Sequence, residues 1–191
     1  MGAKVGAMAP DIELKNDRGE QVRLSDYWKR RPLLLVFLRH LGCPLCFDHV
    51  AQLRTRYGDL EAAGLGAAAV TMGDAAQAAK FRESQNLPCD VLADPKLRSY
   101  QAYGLEKGAL WQYAGPQMWW RGLTSVLRYG AARPVGDVKQ MPGAFVIDQD
   151  GKILYAHRAV HSGDHESYDE ILRLFQASQT SSPPTAAAEP Q

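Results

Sequence analysis

Six consecutive apolar residues, Leu33 to Leu38, run through Arg39, His40, Leu41 and Gly42 into Cys43-Pro44-Leu45-Cys46. An unbroken apolar run lacks the alternation of a half-exposed strand, so it predicts a central strand covered on both faces. Beyond it, Phe47, Val50, Leu53, Tyr57 and Leu60 recur at helical spacing, with Gly64 and Gly66 closing the segment. A strand that feeds such a helix sets Cys43 at the first turn, where free N–H groups and the positive end of the helix dipole favour thiolate over thiol. Pro44 suits the first helical position, because the N–H it lacks would be unpaired there anyway. Cys46, one turn further in, can attack an oxidised or mixed-disulfide form of Cys43 and leave an internal disulfide.

The rest of the chain reads as an α/β domain. Asp11 to Leu14 and Gln21 to Leu24 alternate around the turn Asn16-Asp17-Arg18-Gly19 and predict a hairpin, with Ser25 capping a following helix. Strands over Ala67 to Met72 and Cys89 to Ala93 enclose a helix over Ala75 to Gln85, the order of a parallel sheet. A second hairpin is expected from Ala144 to Ile147 and Lys152 to Ala156, and an amphipathic helix from Ser167 to Phe175. These elements predict one domain over residues 1–178, a central mixed sheet flanked by helices with an N-terminal β-hairpin extension. Residues 179–191, rich in Ser, Pro and Ala, read as a disordered tail. Between Gly104 and Gly136 the pattern weakens. Trp111, Trp119 and Trp120 there, with Arg121, Arg128 and Arg133, either pack a helix onto the sheet or wall a substrate site.

Charge and cysteine usage narrow the function. Lys and Arg total 22 against 21 Asp and Glu, which offers no positive field for nucleic acid or an anionic membrane. No apolar run approaches the roughly 18 residues a membrane span needs. With 46% hydrophobic and 23% charged residues, the chain can bury the core of one soluble domain. Three cysteines are too few for a disulfide framework and suit a reducing cytoplasm.

The Cys-x-x-Cys pair could instead be half of a zinc site, which would need two more ligands from His40, His49 or Cys89. Zinc modules usually pair two such knuckles, and only one is present. Phe47 stands where haem attachment needs a histidine. Cys89 reads as a buried filler. His40 could acidify Cys43, position a substrate or merely cap its loop. His49 reads as a surface residue, and His157, His161 and His165 as parts of a solvated loop. No metal and no prosthetic cofactor are expected.

The strand, the Cys-x-x-Cys helix, the parallel sheet and Met141-Pro142-Gly143-Ala144-Phe145 before a closing hairpin together resemble the thioredoxin fold. That resemblance implies a cis-proline at Pro142 facing the cysteine pair. More narrowly, Val5, Gly6, Ala9, Pro10 and Asp11, then Leu24, Ser25 and Asp26, then FLRHLGCPLC and FVIDQDGKI resemble the AhpC/TSA peroxiredoxin family. The likeness covers about residues 5 to 176. It implies an antioxidant oxidoreductase that reduces peroxides, with Cys43 and Cys46 as catalytic residues and Pro142, His40, Arg39, Pro44 and Arg121 in support. It further implies an external reductant, thioredoxin or a low-molecular-weight thiol, and is compatible with a homodimer.

Two family features are absent. In the Pro-x-x-x-Thr-x-x-Cys motif, alignment on Cys43 puts Val36 at the proline and His40 at the threonine. The family arginine before the Phe-x-Ile-Asp strand is also missing, and Pro142 stands in that neighbourhood. Arg39 or Arg121 could supply the cation that orients a peroxide and stabilises its developing charge. Three readings stand: a thiol peroxidase, a thioredoxin-type thiol-disulfide oxidoreductase, and a non-enzymatic redox-sensing module.

Overall fold

The computed structural model describes residues 3–41, 44–105, 107, 136–160 and 167–181, with backbone alone at 44–46, 48 and 181. Its centre is the strand expected from the apolar run, β3 (Leu33–Phe37), every residue of which is buried. Side chains alternate across a strand, so Leu34, Val36 and Leu38 enter one core while Leu33, Leu35 and Phe37 enter another. Unbroken hydrophobicity here therefore means two covered faces.

Around β3 lie β1 (Glu13–Lys15), β2 (Gln21–Arg23), β4 (Gly66–Thr71), β5 (Asp90–Ala93), β6 (Gly143–Ile147) and β7 (Ile153–Arg158). They form a seven-stranded sheet in the order β2-β1-β5-β4-β3-β6-β7. The β3-β4-β5 centre is parallel and the remaining pairings are antiparallel, so both expected hairpins and the expected parallel core are present. Helices α2 (Pro44–Ala62), α3 (Ala75–Gln85) and α5 (Tyr168–Ser181) contribute to the first core. Leu24 and Trp28 of α1 (Leu24–Trp28) and Tyr100 of α4 (Arg98–Ala102) fill the second. None of the described helices is long and apolar enough to cross a membrane.

Local chemistry stops and starts these helices. At the end of α2, Leu65 N–H reaches the Leu60 carbonyl and Gly64 N–H the Glu61 carbonyl, both at 2.9 Å. This Schellman closure needs a left-handed residue, and Gly64 supplies it at φ +79°. α3 opens on a reciprocal capping box. The Asp74 carboxylate accepts from Gln77 N–H at 2.8 Å, and the Gln77 amide oxygen accepts from Asp74 N–H at 2.9 Å.

Several expectations are corrected. Ser25 lies inside α1, and Arg23 occupies the N-cap. Acidic side chains from either side satisfy that helix start instead: Asp26 accepts from Arg23 N–H at 2.9 Å and Asp11 from Ser25 N–H at 3.0 Å. α5 continues to Ser181, past the Phe175 end expected for that helix. His157 is not in a solvated loop but in β7, paired with Ala144, because the hairpin extends to Arg158. α4 was not expected, since its cap residue Leu97 takes a left-handed conformation at φ +55°. Buried Asp94 compensates by accepting from the backbone N–H groups of Arg98 at 3.1 Å and Ser99 at 2.7 Å, and from the Ser99 hydroxyl at 2.5 Å.

The N-terminal hairpin is clamped to the sheet by charge. Asp90, at the start of β5, accepts from the Arg18 guanidinium at 3.1 and 3.3 Å and from the Tyr27 hydroxyl at 2.9 Å. Partial burial pushes its carboxyl up, but the hydrogen bonds from Arg18 and Tyr27 outweigh this and hold it below its ordinary value. A depressed folded-state pKa stabilises the fold above the unfolded value of about 3.9 and is lost as pH falls through the folded one. Asp90→Ala should therefore cost about 1–2 kcal/mol at pH 7 and distinctly less at pH 3. Urea unfolding at both pH values measures this; an equal cost at pH 3 would contradict an ionised clamp.

Candidate functional site

Four segments meet where the chain leaves β3. The pairing of Phe37 with Gly143 brings Pro142 beside the exit from β3, across from the chain that leads to Cys43. Leu38 N–H still bonds to the Val70 carbonyl at 2.9 Å, and the Tyr100 hydroxyl donates to the Leu38 carbonyl at 2.6 Å. Leu38 is thus held from two sides before the loop begins. A Cβ on Gly73 would come within 3.0 Å of Leu41, so the turn after β4 presses against the same loop. Gly136, at φ +97°, approaches Met72 so closely that a Cβ there would sit 2.8 Å from the Met72 Cβ. Only glycine combines that conformation with that approach.

Arg39 is 5% exposed, and its guanidinium donates to the Val138 carbonyl at 2.9 Å. A buried guanidinium must be hydrogen-bonded to be tolerated, and the segment before β6 supplies that bond. His40 is half-buried, its Nδ1 3.4 Å from the Leu41 carbonyl, a long contact that braces its own loop. Gln140, also buried, donates to the Leu105 carbonyl at 2.9 Å and ties this segment to the end of α4.

Pro44 is the first residue of α2, the position expected for it. Cys46 follows two residues later within the same helix, while Cys43 immediately precedes it and lies outside the described residues. Arg121, Arg128, Arg133, Trp111, Trp119, Trp120, His161 and His165 also lie outside them, as does the tail from residue 182.

Pro142 is buried beside the exit from β3, but the cis bond expected for it is absent: no described peptide bond is cis. The trans form is intrinsically favoured for X-Pro. In it, the Pro142 carbonyl accepts from Ala159 N–H at 3.1 Å, which extends the β6–β7 ladder.

Cys89 is 3% exposed, and burial pushes its thiol up to about 12. It stays protonated at neutral pH, and only the thiolate is an effective nucleophile, so it is chemically quiet. His49 overturns its surface assignment. It is 5% exposed, because α5 covers that side of α2 and the Tyr168 hydroxyl lies 3.1 Å from its Nε2. Among the described residues no three His, Cys, Asp or Glu side chains cluster as a metal site would require.

Comparison with known proteins agrees with this architecture. The AhpC/TSA family model matches residues 5–156. Peroxiredoxin Bcp of Bacillus subtilis is 28% identical over 168 residues, covering 86% of this chain and 91% of that protein. A chloroplastic thioredoxin-like protein of Arabidopsis thaliana is 32% identical over 111 residues, 56% of this chain but only 45% of that protein. Among solved structures, peroxidoxin BcpB of Mycobacterium tuberculosis superposes with a TM-score of 0.69 at 20% identity, covering 92% of this chain and 97% of its own. A peroxiredoxin-like protein of Aquifex aeolicus gives 0.68 at 18% identity, covering 93% and 88%. The expected thioredoxin-like sheet is thus shared with solved relatives, and the family match over most of the chain makes this protein a member of the AhpC/TSA family, a thiol-based oxidoreductase.

Proposed function

We propose that the chain reduces peroxides, with Cys43 as the attacking thiolate and Cys46 as the resolving thiol. The observation that carries this reading is the start of α2 at Pro44, directly after Cys43. At that position the unpaired N–H groups of the first turn and the helix dipole stabilise an anion. The family of the chain and the quiet chemistry of Cys89 support the same assignment.

In the first step the Cys43 thiolate attacks one peroxide oxygen. The O–O bond breaks, Cys43 becomes a sulfenic acid, and the other oxygen takes a proton and leaves as water or an alcohol. In the second step Cys46, as its thiolate, attacks the Cys43 sulfur. The S–O bond breaks, the departing oxygen takes up a proton as water, and a Cys43–Cys46 disulfide remains. An external thiol reductant, in a reducing cytoplasm, then returns the pair to the dithiol. Arg39, anchored on Val138 in the loop that leads to Cys43, takes the place of the missing family arginine and orients the peroxide.

The test is the second-order rate constant for hydrogen peroxide oxidising the reduced protein, followed by tryptophan fluorescence. The expected value exceeds that of a free thiol by about a hundredfold or more, the order that preorganised donors contribute. A rate equal to that of a free thiol would reject peroxide reduction and favour disulfide exchange.

A further inference from the structure

α5 packs along α2, and the core they share is built from Val50, Leu53, Ile171, Leu172 and Phe175. Within this apolar contact sits a polar pair. The rings of His49 and Tyr168 stack with centroids 5.3 Å apart at 29°, and the Tyr168 hydroxyl lies 3.1 Å from His49 Nε2 and 3.5 Å from the His49 carbonyl. Tyr168 is only 2% exposed, and burial holds its hydroxyl well above the ordinary value, so it stays a protonated hydrogen-bonding group.

A buried polar pair is a costly way to join two helices. Apolar side chains of similar volume would hold α5 to α2 at least as well, but they tolerate sliding and rotation. A hydrogen bond between two particular atoms does not, so such a pair sets one register. Its location gives that register a use. Tyr168 opens α5, and His49 stands one turn beyond Cys46, in the second turn of the helix that starts after Cys43. Among the described residues Arg56 and Asp169 also link these helices, but that pair is more exposed and falls further along α2, where it can do little for the cysteine end.

We propose that Tyr168 is a positioning residue for the thiol chemistry: through His49 it holds the first two turns of α2 in place, keeping the free N–H groups of that helix start ordered for the Cys43 thiolate. This rests on the reading of Cys43 as the attacking thiolate. A helix end frays readily when nothing ties it down, and fraying withdraws the donors that favour thiolate over thiol. The pair therefore acts on reactivity through the helix and touches no substrate.

Tyr168→Phe tests this while keeping the ring and its burial. The expected result is a rise of about one unit in the pH midpoint of both the thiolate absorbance at 240 nm and the second-order rate with hydrogen peroxide, which at a pH a unit or more below the native midpoint is a fall of about tenfold in rate with a matching loss of absorbance. An unchanged rate and absorbance with only a lower Tm would overturn the proposal and leave Tyr168 a structural residue. The double variant His49→Leu/Tyr168→Phe removes both polar groups and should recover the Tm while the rate stays low; recovery of the rate as well would overturn the proposal. Cys43→Ser in the otherwise native chain tests the underlying reading separately. A fast peroxide phase surviving there would overturn the role of Cys43, whatever Tyr168→Phe does.

Discussion

Cys43→Ser is expected to remove peroxide turnover altogether, whereas Cys46→Ser should complete the first oxidation at close to the native rate and then stop. The two cysteines are three residues apart, but the proposed cycle places different demands on them. Cys43 must be a thiolate before peroxide arrives, and a serine hydroxyl in the same place stays protonated and is a far weaker nucleophile. Cys46, already inside α2, is needed only after Cys43 has been oxidised. Without it, the sulfenic acid persists and can be captured by a carbon nucleophile such as dimedone and detected by mass spectrometry. Single-turnover kinetics with hydrogen peroxide separate the two steps. Equal residual turnover in both variants would reject this division of labour.

The largest loss of stability is expected from Phe145→Ala. Phe145 is fully buried in β6, with its ring centroid 5.8 Å from that of Phe37 and 4.9 Å from that of Tyr103. The Arg158 guanidinium covers the same ring at 5.1 Å. Three strands and the end of α4 thus share one aromatic side chain. Truncation to alanine removes its buried area and leaves a cavity that rigid neighbours cannot fill, at a cost of about 3–5 kcal/mol. For a chain of this size that is a fall of roughly 10 °C in Tm. Calorimetry on Phe145→Ala beside Phe145→Leu checks the mechanism, since leucine keeps most of the volume and should cost much less. A loss below about 1 kcal/mol in the alanine variant would mean that the cluster collapses into the gap.

The position of Phe145 links this stability to the site. Phe37, which it contacts edge-on, also touches Tyr100 with ring centroids 5.0 Å apart, and the Tyr100 hydroxyl holds the Leu38 carbonyl. The aromatic cluster therefore supports the strand end from which the cysteine loop departs. Core packing and site geometry are here one structure seen from two sides.

Much of this could be read from the chain alone. β3, α2, α3 and both hairpins follow from patterns within a few residues: an unbroken apolar run, helical spacing from Phe47 to Leu60, and turn residues at Asn16 to Gly19 and Asp148 to Gly151. Pro44 at the head of α2 was legible for the same reason, because a proline without an N–H suits the first helical position. Burial of Cys89 followed from its apolar neighbours. α4 was missed because its cap, Leu97, adopts a conformation leucine disfavours, and the hydrogen bonds that offset this come from Asp94 through the fold of the loop.

The contacts that shape the site could not be read this way. Arg39 bonds to Val138 across 99 residues, Tyr100 to Leu38 across 62, and Tyr168 to His49 across 119. His49 looked exposed because helical spacing assigns faces relative to one core, and α5 adds a second covering that no local period contains. Residue order dictates hydrogen-bonding periods, helix ends and the start of α2 at Pro44, since these depend on neighbours only a turn away. Which buried polar groups find partners depends on distances through space, and those exist only once the sheet has set β3 against β6 and α5 against α2.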